Sequence, residues 1–166
     1  MRHAPRMESA VITEEERDPE RDELLSFITY RISQVHPKLN AQATHILQSH
    51  AGLSLLQWRS IALLKVHGPA VPSVQLIKFT GMDKGLFSRT LKTLLAEELV
   101  TGETDPKDQR KLLLSLTDKG VEHYEHMIEI MRRRQSYLLH DLSDEERRVL
   151  YSALDKLEKN AQRRDF

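Results

Sequence analysis

Basic side chains recur at helical spacing between residues 84 and 93, where together they could bind an extended polyanion. Lys84, Arg89 and Lys92 carry positive charge, and no Asp or Glu lies anywhere from 84 to 96. Cationic groups that displace the counterions of a phosphate chain bind it with strong salt dependence. An ordinary solvated helix face is the other interpretation, because exposed Lys and Arg are common. The neighbouring elements must decide between the two.

The segment that carries these side chains is predicted to be an amphipathic helix. An apolar stripe at i, i+4, i+7 and i+8 is formed by Phe87, Leu91, Leu94 and Leu95. Asp83 is a suitable N-cap. The face opposite the stripe contains Gly85, Ser88, Arg89, Lys92 and Thr93. A partner could therefore reach these residues.

Flanking segments predict a winged helix-turn-helix around that helix. Residues 71–81 form a short helical pattern that ends at Gly81, a C-cap glycine. Val, Thr and alternating Leu at 99–104 and 111–116 indicate two strands, separated by the turn-rich segment 105–108. We expect the connecting loop to carry Lys107, Arg110 and Lys111. This order of elements is typical of DNA-binding proteins, in which one helix enters the major groove.

Several short segments match one known family in the right order. They are Leu55-Leu56-Gln57-Trp58-Arg59, Gly81-Met82-Asp83-Lys84, Ser88-Arg89, Leu99-Val100, Asp105-Pro106-Lys107-Asp108-Gln109-Arg110 and Leu116-Thr117-Asp118-Lys119-Gly120. On these segments the chain resembles the MarR family of transcriptional regulators, over roughly residues 24–160. The resemblance implies a homodimer that presents two recognition helices to successive major grooves and two wings to the flanking minor grooves of double-stranded DNA.

By that resemblance Arg110 is the minor-groove residue, and Asp108 would orient its guanidinium through a charge-assisted pair. The alternative is a surface ion pair that contributes little. Gly85 and Leu86 depart from the family pattern, which often has small hydroxyl residues there; Leu86 could instead meet a thymine methyl. The complete set of expected DNA-binding residues is Ser73, Lys84, Gly85, Leu86, Ser88, Arg89, Lys92, Thr93, Lys107, Asp108, Arg110 and Lys111.

Composition limits the classes of protein that the chain can belong to. It has 166 residues, no Cys and 30% charged residues, which suits a reducing cytoplasm. We find no signal peptide and no long apolar run, and so expect neither export nor membrane association. The formal net charge is zero, but residues 1–23 have four Arg against eight Asp or Glu, a net of −4. Residues 24–166 therefore have 21 basic against 17 acidic residues, a net of +4, which is compatible with a nucleic-acid partner.

The predicted fold is mainly α with a small β-hairpin wing, and the helical dimerisation region comes from both chain ends. Residues 1–23 are expected to be a mobile acidic arm. We assign 24–50 to an N-terminal dimerisation helix, which Pro37 stops or bends, and its connection. The DNA-binding domain is 51–117. Residues 118–166 form C-terminal dimerisation helices, the last of which begins at a capping box starting at Ser143.

Long apolar stripes on the terminal helices need a partner surface. The stripe residues expected to form it are Leu24, Ile28, Ile32, Leu138, Leu150, Leu154 and Leu157. A second copy of the chain would give a two-fold interface, which suits palindromic half-sites roughly 34 Å apart. The alternative is that the stripes fold back into a monomeric core.

The family resemblance also implies a small anionic or phenolic effector that binds between the dimerisation helices and the winged module and relieves repression. Candidate lining residues are Phe27, Tyr30, His36, Trp58 and Arg59, since aromatic walls with a few polar groups suit small ligands. The alternatives are a core position for Trp58 and simple exposure for Arg59.

Three other functions are compatible with parts of the sequence to different degrees. His123 and His126, with Glu122 one turn away, suggest a metal-responsive regulator, but the spacing is not the HExxH pattern of zinc hydrolases. We predict no resident metal and no cofactor. The chain also lacks a recognisable catalytic motif, so an enzyme is not expected. A winged-helix module that binds proteins rather than DNA is the remaining alternative.

Overall fold

The computed structural model describes residues 19–165. Seven helices and three strands lie in that range. In chain order they are α1 (Pro19–Ser26), α2 (Ile28–Ala51), α3 (Leu55–His67), β1 (Val71–Pro72), α4 (Ser73–Thr80), α5 (Lys84–Ala96), β2 (Val100–Asp105), β3 (Asp108–Leu116), α6 (Asp118–Leu138) and α7 (Asp144–Ala161). The fold is mostly helical with a small antiparallel sheet, as predicted. The chain divides into two units, Met1–Ile46 and Leu47–Phe166.

The first unit contains α1 and most of α2, and its helix boundaries differ from the expected ones. Helix begins at Pro19 rather than Leu24, which suits a proline in the first helical turn. The expected arm was 1–23: residues 19–23 belong to α1, so that part of the prediction was wrong, and residues 1–18 lie outside the described residues. The break falls at Phe27, and Pro37 does not stop α2. A proline inside a helix costs about 3 kcal/mol, which the helical turns on both sides of Pro37 outweigh.

Helix α3 supplies much of the core of the second unit. It begins with a capping box in which Ser54 Oγ accepts from the Gln57 amide at 3.2 Å and Gln57 Oε1 accepts from the Ser54 amide at 2.7 Å. The large side chains that are almost completely buried in this unit are Leu47, Leu53, Ile61, Leu64, Leu76, Leu94, Leu99, Leu114 and Met127. Burying each contributes about 1.5–3 kcal/mol, so this core holds α3 to α6 and the sheet together.

The sheet has three strands in the order β1-β3-β2, all antiparallel. The predicted hairpin is β2 and β3, with Val100 opposite Leu116. The third strand, β1, pairs Val71 with Leu114 and was predicted as the start of a helix. It has only two residues, too few to show the alternation that indicates a strand.

Helices α6 and α7 are both capped at their first turn. Thr117 Oγ1 accepts from the Gly120 amide at 3.0 Å at the start of α6. The capping box predicted at Ser143 is confirmed: Ser143 Oγ accepts from the Glu146 amide, and Glu146 Oε2 accepts from the Ser143 amide at 2.8 Å. No helix in the described part of the chain is both long and apolar enough to cross a membrane.

Candidate nucleic-acid interface

Helix α5 is the expected recognition helix, and its start is fixed as predicted. Asp83 is the N-cap, and its Oδ1 accepts from the Leu86 amide at 2.9 Å. Phe87 and Leu94 are buried, whereas Leu95 is 40% exposed and the third buried residue is Thr90. Sequence analysis missed Thr90 because its side chain is polar. Its hydroxyl donates to the Leu86 carbonyl at 2.9 Å, so burial leaves that group satisfied.

The opposite face of α5 is accessible and basic. Six expected DNA-binding residues on this helix are exposed, namely Lys84, Gly85, Ser88, Arg89, Lys92 and Thr93. Leu86 is half-buried, as is Ser73 at the start of α4. A Cβ atom at Gly85 would lie 3.3 Å from Asp83 Oδ1, so a larger residue there would press against the N-cap carboxylate.

A tight turn joins α4 to α5. Gly81 has φ +67°, the left-handed conformation that glycine adopts without strain, and its amide donates to the Ile77 carbonyl at 3.0 Å. Met82, between the glycine and the N-cap, is buried. The turn therefore fixes the angle at which α5 leaves α4, as the sequence predicted.

The tip of the hairpin differs from the expected loop. Only Pro106 and Lys107 separate β2 from β3, and the Lys107 amide is bound by Asp105 Oδ1 at 2.8 Å. Arg110 and Lys111 lie on β3, so placing them in the loop was wrong. The register passes from Thr104 opposite Leu112 to Asp105 opposite Asp108, leaving residues 109–111 without Cα partners. Such a bulge interrupts the hydrogen-bonded ladder and changes the direction of the side chains within it. Arg110 and Lys111 lie in the bulge, and both are exposed.

Asp108 contacts different groups from those expected. Its Oδ1 accepts from the backbone amide of Arg110 at 3.2 Å, and its Oδ2 pairs with Lys111 Nζ at 3.3 Å. The ionic partner of the Asp108 carboxylate is therefore Lys111 and not the Arg110 guanidinium that had been expected. The hydrogen bond from the Arg110 amide and the Lys111 ammonium both lower the pKa of Asp108 below its ordinary value.

The expected ligand-lining residues fall in both units. Trp58 is only 7% exposed and stacks on Tyr124, with ring centroids 5.7 Å apart. It nevertheless lines an open cleft of about 360 Å³, together with Arg59, Ala62, Leu63, Val66, Phe79 and Thr80. The sequence did not identify Val66 and Phe79 as residues that line this cleft. The signal that could have found them is that both are apolar but lie outside a helix stripe. In the first unit Phe27 is exposed, Tyr30 is half-buried, and His36 Nε2 lies 3.1 Å from Asn40 Nδ2.

The expected dimerisation residues are largely accessible. Leu24, Ile28 and Ile32 of the first unit are exposed, as are Leu150 and Leu154 of α7. Leu138 and Leu157 are half-buried. None of the residues Asp144–Ala161, all described, is buried. An amphipathic helix with its apolar face open to solvent is a surface that lacks a partner.

A cluster of histidines lines a smaller cavity of about 170 Å³. His50 at the end of α2 and His123 and His126 on α6 contribute to it, together with Ala51 and Glu122. Within residues 19–165, no three His, Asp or Glu side chains are placed to hold a metal ion. The cavity therefore gives the metal-responsive alternative no support.

Helix, turn, helix and hairpin, with exposed basic residues on the second helix and at the hairpin tip, define a winged helix-turn-helix protein. A family model described as MarR family matches residues 51–111. The HTH-type transcriptional repressor NicR of Pseudomonas putida is 29% identical over 133 residues, which cover 78% of this chain and 84% of that protein. The uncharacterized HTH-type transcriptional regulator YdgJ of Bacillus subtilis is 27% identical, covering 80% and 78%.

A solved structure supports the same relationship. The crystal structure of a probable transcriptional regulator from Pseudomonas aeruginosa is 27% identical, superposes with a TM-score of 0.69, and covers 81% of this chain and 98% of that one. The predicted resemblance to the MarR family is thus confirmed: the family model matches the DNA-binding part of this chain, and the proteins that it resembles over most of its length are transcriptional regulators. The predicted class, a regulator rather than an enzyme, is that of these relatives.

Proposed function

We propose that the protein is a homodimeric repressor that binds a palindromic operator in double-stranded DNA and is released by a small aromatic or anionic ligand. The observation that carries this proposal is the exposed, acid-free basic face of α5 beside the basic hairpin tip. The name of the Pseudomonas putida relative, a transcriptional repressor, supports the direction of regulation.

In the proposed complex with DNA, helix α5 enters the major groove. Lys84, Arg89 and Lys92 are exposed on the outer face and neutralise phosphates or bind base edges. Ser88 and Thr93 lie on the same face. The Thr93 hydroxyl donates to the Arg89 carbonyl at 3.2 Å, which leaves its oxygen lone pairs for a further partner. Phosphate contacts position the helix, and the shorter side chains read bases.

The hairpin tip lies along the minor groove. Arg110 stands in the bulge of β3, with its backbone held by Asp108 and its side chain exposed. Narrow minor grooves concentrate negative potential and attract arginine. Lys107 at the turn and Lys111 next to Asp108 then face the phosphates on either side. We retain Asp108 in the interface as the group that fixes the backbone of Arg110.

A second copy of the chain covers the apolar faces of the terminal helices. Val149, Leu150, Tyr151 and Leu154 are all at least 40% exposed on α7. Burying one such side chain contributes about 1.5–3 kcal/mol, so a two-fold interface gains this from each copy. We assign 24–50 and 118–166 to dimerisation and 51–117 to DNA binding. The two-fold axis of the dimer then matches that of a palindrome.

The cleft beside Trp58 and Arg59 is the proposed effector site in the second unit. Apolar walls from Leu63, Val66 and Phe79 suit an aromatic ring, and a guanidinium suits a carboxylate or phenolate. An effector acts only if it binds the DNA-free arrangement more tightly than the bound one. A cytoplasmic location stays a prediction, resting on the absence of cysteine and on a DNA target.

Selection of bound fragments from a genomic library, followed by gel-shift titration, tests the proposal. We expect recovered fragments to contain inverted repeats, bound by two chains and released by an aromatic acid. Arg89→Ala should weaken binding by roughly fivefold to a hundredfold, since one good base or phosphate contact contributes about 1–3 kcal/mol. Recovery of no enriched sequence, or binding indifferent to Arg89→Ala and to salt, would contradict it and favour a protein-interaction module.

A further inference from the structure

The C-terminal end of α5 is tied to the first turn of α6 by a set of hydrogen bonds. Lys119 Nζ donates to the Glu97 carbonyl at 2.7 Å, and the Thr117 hydroxyl donates to the Glu98 carbonyl at 2.6 Å. The Thr117 amide donates to the Leu99 carbonyl at 3.2 Å. Three consecutive carbonyls that follow α5 are therefore bound by two residues. We refer to these five residues as the α5–α6 junction.

The backbone at this junction has a conformation that needs external support. Glu98 has φ +57°, in the left-handed region that costs a non-glycine residue about 1–2 kcal/mol. Such residues persist where their surroundings over-determine them. Here the bond from Thr117 fixes the Glu98 carbonyl, and Leu99 and Val100 on its other side are buried. The contacts with α6 therefore hold the direction in which the chain leaves α5.

Gly120 allows the two elements to approach this closely. A Cβ atom at this position would lie 2.0 Å from the Leu99 carbonyl oxygen, which is far inside any tolerable contact. Leu99 and Gly120 are both buried. The glycine is thus required by the junction and not by a turn of its own helix.

Electrostatics give Lys119 a second role. The C-terminal end of a helix is the negative end of its dipole, so acidic residues there are unfavourable and cations favourable. Glu97 and Glu98 both lie at that end of α5. The Glu97 carboxylate is also approached by the Gln57 amide, at 3.4 Å, which connects the junction to α3. The Lys119 ammonium compensates this concentration of negative charge.

We propose that Thr117 and Lys119 are positioning residues, which fix the orientation of α5 in the major groove by holding its C-terminal end against α6. This inference rests on the proposed function. Because α6 leads into the region assigned to dimerisation, the junction makes the separation of the two recognition helices depend on the position of α6. Neither residue contacts DNA in this account.

The test measures operator affinity, its salt dependence and its tolerance of half-site spacing in full-length Thr117→Val and Lys119→Met. Thr117→Ser and Lys119→Arg retain the hydroxyl and the cation as matched controls, and Lys159→Met controls for loss of an exposed lysine on α7. A hydrogen bond from a cation contributes about 1.5–3 kcal/mol and a neutral one about 0.5–1.5 kcal/mol, so we expect roughly tenfold weaker binding in Lys119→Met and severalfold weaker binding in Thr117→Val. The three controls should bind like the unaltered protein.

Two readouts separate positioning from other roles. If α5 is held less firmly against α6, inserting one base pair between the half-sites should cause a smaller loss of affinity than in the unaltered protein. The slope of log K against log salt should not change. A slope smaller by about 1.8, which is about 0.9 for each of the two copies, would mean that a phosphate contact was lost, and would overturn the inference. So would unchanged affinity in both variants. Thr117→Val also removes the cap of α6, so affinities are compared at a temperature at which melting curves show every variant folded.

The proposed function and this inference fail differently. If the unaltered protein binds no DNA, both are overturned. If it binds its operator and the two variants bind equally well, with the same spacing preference, the inference alone is overturned. If the variants lose affinity and spacing preference with an unchanged salt slope, the inference is supported.

Discussion

At the scale of single residues, the two halves of the interface were not equally predictable. The exposure of Lys84, Arg89 and Lys92 followed from helical period alone, because the apolar stripe that includes Phe87 and Leu94 fixes the orientation of the other side chains on the helix. The partner of Asp108 did not follow. It depends on the three-residue bulge in β3, and no alternation in the sequence reveals where a register shifts.

Arg110→Ala should weaken operator binding roughly fivefold or more and reduce the preference for A·T pairs beside the half-sites, because it removes the arginine proposed to enter the minor groove. Fluorescence anisotropy with operators that vary only in those pairs measures both effects. Arg163→Ala, an exposed arginine beyond α7, is the control and should change neither. Equal losses on all flanking sequences would mean that Arg110 binds only phosphate.

Asp108→Asn should strengthen DNA binding severalfold and steepen its salt dependence by about two units of slope, one for each copy. The asparagine oxygen still accepts from the Arg110 amide, whereas Lys111 loses its ionic partner and is available to a phosphate. Salt titrations of Asp108→Asn and of Asp108→Asn with Lys111→Met measure the effect. If the gain survives in the double variant, Lys111 is not its source.

At the scale of elements, period and capping predicted the long helices, and irregular features escaped prediction. The capping box at Ser143 and the C-cap at Gly81 were visible because both use local side-chain chemistry. The break at Phe27 and the passage of α2 through Pro37 were not. Those outcomes depend on whether the free-energy cost at one residue exceeds the stabilisation that the helical turns on either side contribute.

Ser143→Ala should lower the free energy of unfolding by about 1 kcal/mol, because it removes the N-cap of α7. Hydrogen bonds from the hydroxyl and amide of Ser143 lower the pKa of Glu146 from its ordinary 4.5, so the part of the cap that depends on the Glu146 carboxylate is fully present above that pH and is lost as pH falls through the lower folded value. The bond from the Glu146 amide to Ser143 Oγ does not depend on pH in this range. Urea unfolding at pH 7 and at acid pH measures it. Ser152→Ala within the same helix is the control, and an equal loss there would exclude a capping effect.

At the scale of the whole molecule, the sequence predicted apolar faces on the terminal helices and a second copy that covers them, but helical period alone could not exclude a fold back onto the same chain. Leu150 and Leu154 are 40% and 43% exposed, although they belong to a regular stripe. A stripe shows that a helix buries one face, whether against its own chain or against another. Exposure on the folded chain favours the second copy.

Leu154→Glu should convert the dimer to a monomer at micromolar concentration, since it places an unpaired charge in the interface. Size-exclusion chromatography with light scattering measures the mass. Asn160→Glu adds the same charge to an exposed polar position of α7 and should leave the dimer intact. Circular dichroism must show that both variants keep their helix content. An unaltered protein that is already monomeric would contradict the assignment of these helices to dimerisation.

The central claim is that two copies of this chain bind one operator through basic residues of α5 and the hairpin. The most direct test of this claim is a titration of the selected operator at several salt concentrations. The stoichiometry is determined at a high protein concentration. With three phosphate contacts in each of two copies and about 0.9 per contact, the slope of log K against log salt should be near −5. Two chains should be bound to each duplex. A slope near zero, or saturation at one chain per operator, would contradict the account.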